Sequence, residues 1–166
     1  MEKIESFTID YMRLKQGLYV NKIYKVGYEY ITIFDIRMKK PYDIEDPIMT
    51  TGSIHAIEHL GKYFLNNDEL WKNKIIYFGP MGSRTGFNLI VEGEVDTEII
   101  LPLIDRMFDF ISDYEGDIPN CSPKECGNYI DIDINEAKRD AAIYYNVLVD
   151  AKKTNFNYPK PRESKK

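Results

Sequence analysis

Residues 18–38 read LYVNKIYKVGYEYITIFDIRM, two runs rich in β-branched and aromatic side chains, Leu18–Val26 and Tyr28–Met38, that meet at Val26–Gly27. A link this short leaves no room for a crossover helix, so the runs pair antiparallel as a hairpin. The arrangement recurs further along, where strand-like Ile75–Phe78 and Gly86–Val95 flank a connecting loop at 79–85. Two more stretches, Ile4–Ile9 and Asn128–Ile134, also read as strands. In the second, Ile130, Ile132 and Ile134 alternate with Tyr129, Asp131 and Asp133, the pattern of a half-buried strand with one wet face.

Three helices punctuate these strands. The first spans Ser53 to Leu65 with Ser53 as N-cap. The second starts near Asp96 and repeats Ile99/Ile100, Leu103/Ile104, Met107/Phe108 and Ile111 before Gly116, with Pro102 in its first turns. The third follows Asn135 as cap and buries Ala141, Tyr144, Tyr145, Leu148 and Val149. Strands outnumber helices and the links are short, so the expected class is α+β, a mostly antiparallel sheet with three main helices packed on one face.

The chain has 166 residues, of which 43% are apolar. One compact domain over residues 1–150 follows, large enough to build a core without disulfides or a structural metal. Apolar runs fall far short of the ~20 residues that cross a bilayer, and the opening Met-Glu-Lys-Ile-Glu lacks a signal peptide's basic-then-apolar order. A cytoplasmic protein without a membrane partner is expected. Six Lys or Arg against one Glu make residues 151–166 a basic tail of +5, so with −5 overall the body holds −10. That body has no basic face for phosphates, which argues against nucleic acid. The tail, with Pro159 and Pro161 and no apolar periodicity after Phe156, reads as a solvated, flexible terminus.

Three places carry chemistry. His55-Ala56-Ile57-Glu58-His59 uses both histidines of the chain. Residues four apart share a helical face, so both imidazoles reach one metal, with Glu58 beside them as acid or base; this is H-x-x-E-H, the inverted zinc-hydrolase signature. Cys126 offers a thiolate that completes a His2Cys set with an open fourth position, the mark of a catalytic metal. A Cys121–Cys126 disulfide is the competing pairing, disfavoured in a reducing cytosol, and Cys121 has no assigned role. The turn Gly79-Pro80-Met81-Gly82-Ser83-Arg84-Thr85-Gly86 is either a plain hairpin connection or a place where backbone approaches a ligand and holds a strained, exposed side chain.

The order Glu5-Ser6-Phe7, Phe34-Asp35-Ile36-Arg37, His55-Ala56-Ile57-Glu58-His59, Pro80-Met81-Gly82-Ser83-Arg84-Thr85-Gly86-Phe87 and Ile118-Pro119 followed by Cys126-Gly127-Asn128-Tyr129 resembles the S-ribosylhomocysteine lyase family, LuxS, from Glu5 to about Val149. The resemblance implies one divalent metal per chain, iron(II) first, with zinc or cobalt as substitutes, on His55, His59 and Cys126. It implies a homodimer with active sites at the subunit interface, and thioether cleavage of S-ribosylhomocysteine to homocysteine and 4,5-dihydroxy-2,3-pentanedione, the autoinducer-2 precursor.

In that family a glutamate and a cysteine carry the protons. Glu58 matches the glutamate, and Ser83 stands where the family has the cysteine. Ser6 and Arg37 match substrate-contacting positions. Tyr11 falls where the family has a substrate-site histidine, Tyr77 at an aspartate, Asn66 at an arginine and Asn88 at a tyrosine. The H-x-x-E-H pattern also allows a metal-dependent hydrolase in the same fold, and a non-catalytic ligand-binding homologue is the third reading.

Overall fold

The computed structural model describes residues 9–45, 48–151 and 156–159. Two hairpins build one sheet. Strand β1 (Gly17–Val26) turns through Gly27, at φ +65°, and Tyr28 into β2 (Glu29–Arg37). Strand β3 (Ile75–Pro80) returns through residues 81–85 as β4 (Gly86–Glu92). All pairings are antiparallel in the order β1-β2-β4-β3. Both expected hairpins are present, while the Ile4–Ile9 strand lies, except for Ile9, outside the described residues.

Helices α1 (Thr51–Asn67), α2 (Thr97–Ser112) and α3 (Ile134–Ala151) cover one face of the sheet. Period-2 alternation sends Phe34, Ile36, Phe87, Leu89 and Val91 inward, where they meet Ala56, Ile57 and Leu60 of α1 and Ile104, Met107 and Phe108 of α2. Ala141, Tyr144 and Leu148 of α3 close the cluster, and Phe108 meets Tyr144 edge-on at 4.7 Å. The alternate residues Ile31, Ile33 and Ile90 face the other way and stay half-buried, Ile33 lying opposite Ile90. Among the described residues no helix is long and apolar enough to cross a membrane.

Several expectations are corrected. Residues 128–134 form no strand: Tyr129–Asp131 is a 3-10 turn and Ile130 is 81% exposed. The reason is local. Asp133 Oδ1 accepts the Glu136 N–H at 2.9 Å and Asp133 O accepts that of Ala137, so this aspartate, rather than Asn135, starts α3 and ends the alternation. Ser53 is likewise no cap. Thr50 Oγ1 accepts the Ser53 N–H at 3.2 Å, while Ser53 is buried and donates to Asp140 Oδ2 at 2.6 Å. Ile99 and Val149 turn out exposed, each on the solvent side of its helix. The solvated reading of the tail fails for residues 156–159, because two aromatics there find cover. Phe156 packs on the core and Tyr158 stacks on Tyr19 at 4.7 Å.

Candidate metal centre

Helix α1 positions two of the three donors by its own geometry. His55 and His59, one turn apart, bring their ring centroids to 4.9 Å. The third comes from the 113–128 connection, where Cys126 N–H bonds Ser122 O at 2.9 Å in a tight turn and the side chain is buried. Cys126 Sγ lies 3.3 Å from His55 Nε2, and one ligand atom from each of the three residues lies within 4.8 Å of the others. Both cysteines are free, so the Cys121–Cys126 disulfide does not form. Cys121 Sγ is directed instead at Tyr129 O; burial pushes this thiol upward and the nearby Cys126 adds to the effect.

The donors fit a borderline-soft divalent cation, and their outer partners support the fit. His59 Nδ1 donates to Pro119 O at 3.0 Å, and His55 Nδ1 faces Asp131 Oδ1 at 3.3 Å. A carbonyl and a carboxylate only accept, so the hydrogen-bond network assigns the proton of each neutral imidazole to Nδ1 and the lone pair to Nε2. Cys126 Sγ and two imidazoles with available Nε2 atoms form a candidate three-donor set, the number that in catalytic sites leaves one position open.

A cavity of about 520 Å³ opens beside the two histidines of this set, lined by His55, Glu58, His59, Lys62, Asn66, Pro119 and Glu125 among others. Lys62 Nζ bonds Glu58 Oε1 at 2.6 Å, an i,i+4 pair that orients the carboxylate on the cavity wall.

The remaining predicted residues lie elsewhere. Ser83 is exposed on the β3–β4 turn with its Oγ 2.8 Å from Thr85 Oγ1. Buried Arg37 donates to the same Thr85 oxygen at 2.5 Å and to Asp35 Oδ2 at 2.6 Å, where the Tyr158 hydroxyl also donates. The glycine-rich turn does hold a strained residue, and it is Arg84, at φ +56°. Tyr77 is half-exposed on β3, and Tyr11 lines a separate hollow with Lys40 and Tyr42. Ser6 lies outside the described residues. Among the described residues, Asn66 alone of the expected substrate contacts shares the cavity with His55 and His59, while Arg37 and Ser83 form a second group.

Sequence reading missed Asp131, placed in a strand, and the carbonyl of Pro119, for which a main-chain acceptor leaves no residue-type signal. Lys62 was legible four residues after Glu58. Asp35 lies within the Phe34-Asp35-Ile36-Arg37 motif, and its contact with Tyr158 has no local signal in the sequence.

Comparison with known proteins locates this arrangement. The sequence profile of the S-ribosylhomocysteinase (LuxS) family matches residues 4–155. The S-ribosylhomocysteine lyase of Finegoldia magna is 48% identical over 159 residues, covering 96% of this chain and 99% of that protein. Those of Phocaeicola vulgatus and Clostridium acetobutylicum are 44% and 42% identical, each over 96% of this chain and over 98% and 99% of their own lengths.

Proposed function

The chain belongs to the S-ribosylhomocysteinase (LuxS) family, and from that premise we propose that it cleaves the thioether of S-ribosylhomocysteine to homocysteine and 4,5-dihydroxy-2,3-pentanedione, the autoinducer-2 precursor. It is on this reading a carbon–sulfur lyase. The observation that carries the reading is the convergence of His55, His59 and Cys126 beside Glu58, in a chain that relatives bearing this activity in their names match over 96% of its length.

A thiolate leaves carbon readily only when negative charge forms at the adjacent carbon, so the sugar carbonyl must first be carried along the ribose by successive proton transfers. On this reading Glu58 takes and returns those protons, and the ion pair of its carboxylate with Lys62 at the cavity wall supports that role. His55, His59 and Cys126 would hold the divalent cation, iron(II) first and zinc or cobalt as substitutes. When bound, it supplies Lewis-acid polarisation of the sugar oxygens. Ser83 occupies the family's second proton-carrying position, and its partner is a hydroxyl rather than a base. Ser6, Arg37, Tyr11, Tyr77 and Asn66 are the substrate-contacting set of this proposal.

A homodimer completes the site. Arg37 and Ser83 are joined to each other through Thr85, yet neither lines the cavity over the metal donors. The outer sheet face, with half-buried Ile31, Ile33 and Ile90, supports a second copy packing there and bringing its Arg37–Thr85–Ser83 group to this cavity. A cytoplasmic location suits a free, metal-binding cysteine.

Homocysteine thiol release from S-ribosylhomocysteine by anaerobically iron(II)-loaded protein tests the function. Release is expected, together with about one metal per chain, and both are lost in Cys126→Ala and His59→Ala. Full metal occupancy in both variants removes the site assignment. Metal retained without thiol release from wild type leaves the hydrolase or the non-catalytic binding protein as the reading.

A further inference from the structure

We propose that Asp131 is a positioning residue of this metal centre, holding the His55 ring so that Nε2 faces Cys126. The inference rests on the metal-site reading above and adds a residue to it. One imidazole spans the carboxylate and the thiol through its two nitrogens, with Nδ1 3.3 Å from Asp131 Oδ1 and Nε2 3.3 Å from Cys126 Sγ. The carboxylate accepts only, so its partner nitrogen carries the proton and the opposite one keeps the lone pair. A carboxylate behind a ligating histidine also raises the basicity of that ligand.

The two histidines are held by different means. His59 bonds a main-chain carbonyl, which residue 119 supplies whatever its side chain. His55 is partly exposed, and its outer partner is a side chain that the sequence had to choose. Rotation of χ1 or χ2 would carry Nε2 away from Cys126, and the Asp131 hydrogen bond opposes that rotation.

Gly52 explains how Asp131 arrives there. The 3-10 turn Tyr129–Asp131 docks on the first turn of α1, where a Cβ on Gly52 would sit 2.3 Å from Asp131 O. The Asp133 N–H then bonds Gly52 O at 3.2 Å. Gly52 lies three residues before His55, so the missing side chain admits the turn one helical turn below the ring that Asp131 reaches.

The test is zinc affinity of metal-free, full-length protein by competition with a chromophoric chelator, which needs no turnover. Asp131→Ala is expected to weaken binding about 10–100-fold, the usual effect of removing an outer partner. Asp131→Asn, whose Oδ1 still accepts from Nδ1–H, is expected to recover most of the loss. Far-UV circular dichroism and the melting temperature of the metal-free proteins are expected to be unchanged. Asp131→Ala with wild-type affinity overturns the proposal, and so does a loss matched by an equal fall in metal-free stability, which would make Asp131 merely structural. Cys126→Ala is the control. If wild type and Cys126→Ala take up zinc equally, the metal site itself falls, and the positioning role falls with it by a different and recognisable route.

Discussion

The hydroxyl of Ser83 sits 2.8 Å from Thr85 Oγ1, and Thr85 takes a hydrogen bond from the Arg37 guanidinium. A serine so placed has a shape that suits a proton carrier and an acidity that does not, since a hydroxyl gives up its proton far less readily than a thiol of pKa ~8.5. With the guanidinium on the same Thr85 oxygen, a thiol at position 83 gains a cation nearby that favours thiolate. Ser83→Cys is therefore expected to raise homocysteine release by about 10²–10⁴-fold, the ordinary worth of a placed acid–base group. Metal content should not change. A rate that stays flat would shift the defect to Tyr11, Tyr77 and Asn66, since restored proton transfer does nothing for a substrate held in the wrong place.

At the scale of elements, the segment 156–159 ties back to β1 and β2 through Tyr158. Tyr158 stacks on Tyr19 with an interplanar angle of 10°, and its hydroxyl donates to Asp35 Oδ2 at 2.8 Å. That carboxylate is buried, shares Oδ2 with Arg37 and, among the described residues, leaves Oδ1 without a hydrogen-bond partner, so removing a donor leaves a less well satisfied carboxylate. An aromatic pair contributes about 0.5–1.5 kcal/mol and a hydrogen bond to a charged group about 1.5–3 kcal/mol. Tyr158→Ala is expected to lower the unfolding free energy by about 2–4.5 kcal/mol, and Tyr158→Phe, which keeps the stack and loses only the hydrogen bond, by about 1.5–3 kcal/mol. Urea unfolding checks this. Equal midpoints for all three proteins would mean that the segment rests on the sheet without supporting it. The same paired strands are legible in sequence because two long runs rich in β-branched and aromatic residues meet at a short link, whereas the seven-residue alternation at 128–134 is too short to compete with an aspartate that caps the following helix.

For the whole molecule the first expectation is a symmetric dimer. Ile33 and Ile90, opposite one another across β2 and β4, point away from the core. Ile33→Asp combined with Ile90→Asp should yield a folded monomer by sedimentation, with metal still bound and thiol release lost. Wild-type protein that sediments as a monomer at micromolar concentration, metal bound, contradicts the arrangement.

The second whole-molecule expectation concerns alkaline pH. Tyr144 donates to Gly17 O at 2.7 Å and Tyr19 to Lys15 O at 2.9 Å. Burial, with Asp35 adding to it and Arg37 opposing, pushes Tyr19 up to about 12, and burial likewise pushes Tyr144 and Tyr158 well above the phenol range. The folded chain thus keeps protons that the unfolded chain releases above pH ~10. Stability from these groups is complete below that pH and is lost as pH rises through the folded values. Stability at high pH, followed by urea unfolding, should fall as tyrosinate absorbance lags behind that of free tyrosine. Simultaneous early ionisation of all the tyrosines in folded protein would rule this out.

The sequence by itself determined what depends on neighbours along the chain. Two hairpins follow from β-branched, aromatic runs and short links, and the His55–Glu58–His59 face follows from helical spacing, because both rest on features that operate within a few residues. Residue type alone makes Cys126 a candidate third ligand, but its approach to His55, 71 positions away in sequence, is a fact of the folded chain. Tertiary structure decided the rest: that Asp131 ends beside His55 instead of in a strand, that Tyr158 returns to Asp35, and that the expected site residues fall into two groups within one chain. Each of these depends on which surfaces are brought together once the core has closed, on Gly52 admitting a turn and Tyr19 offering a ring, and no period along the chain encodes that meeting.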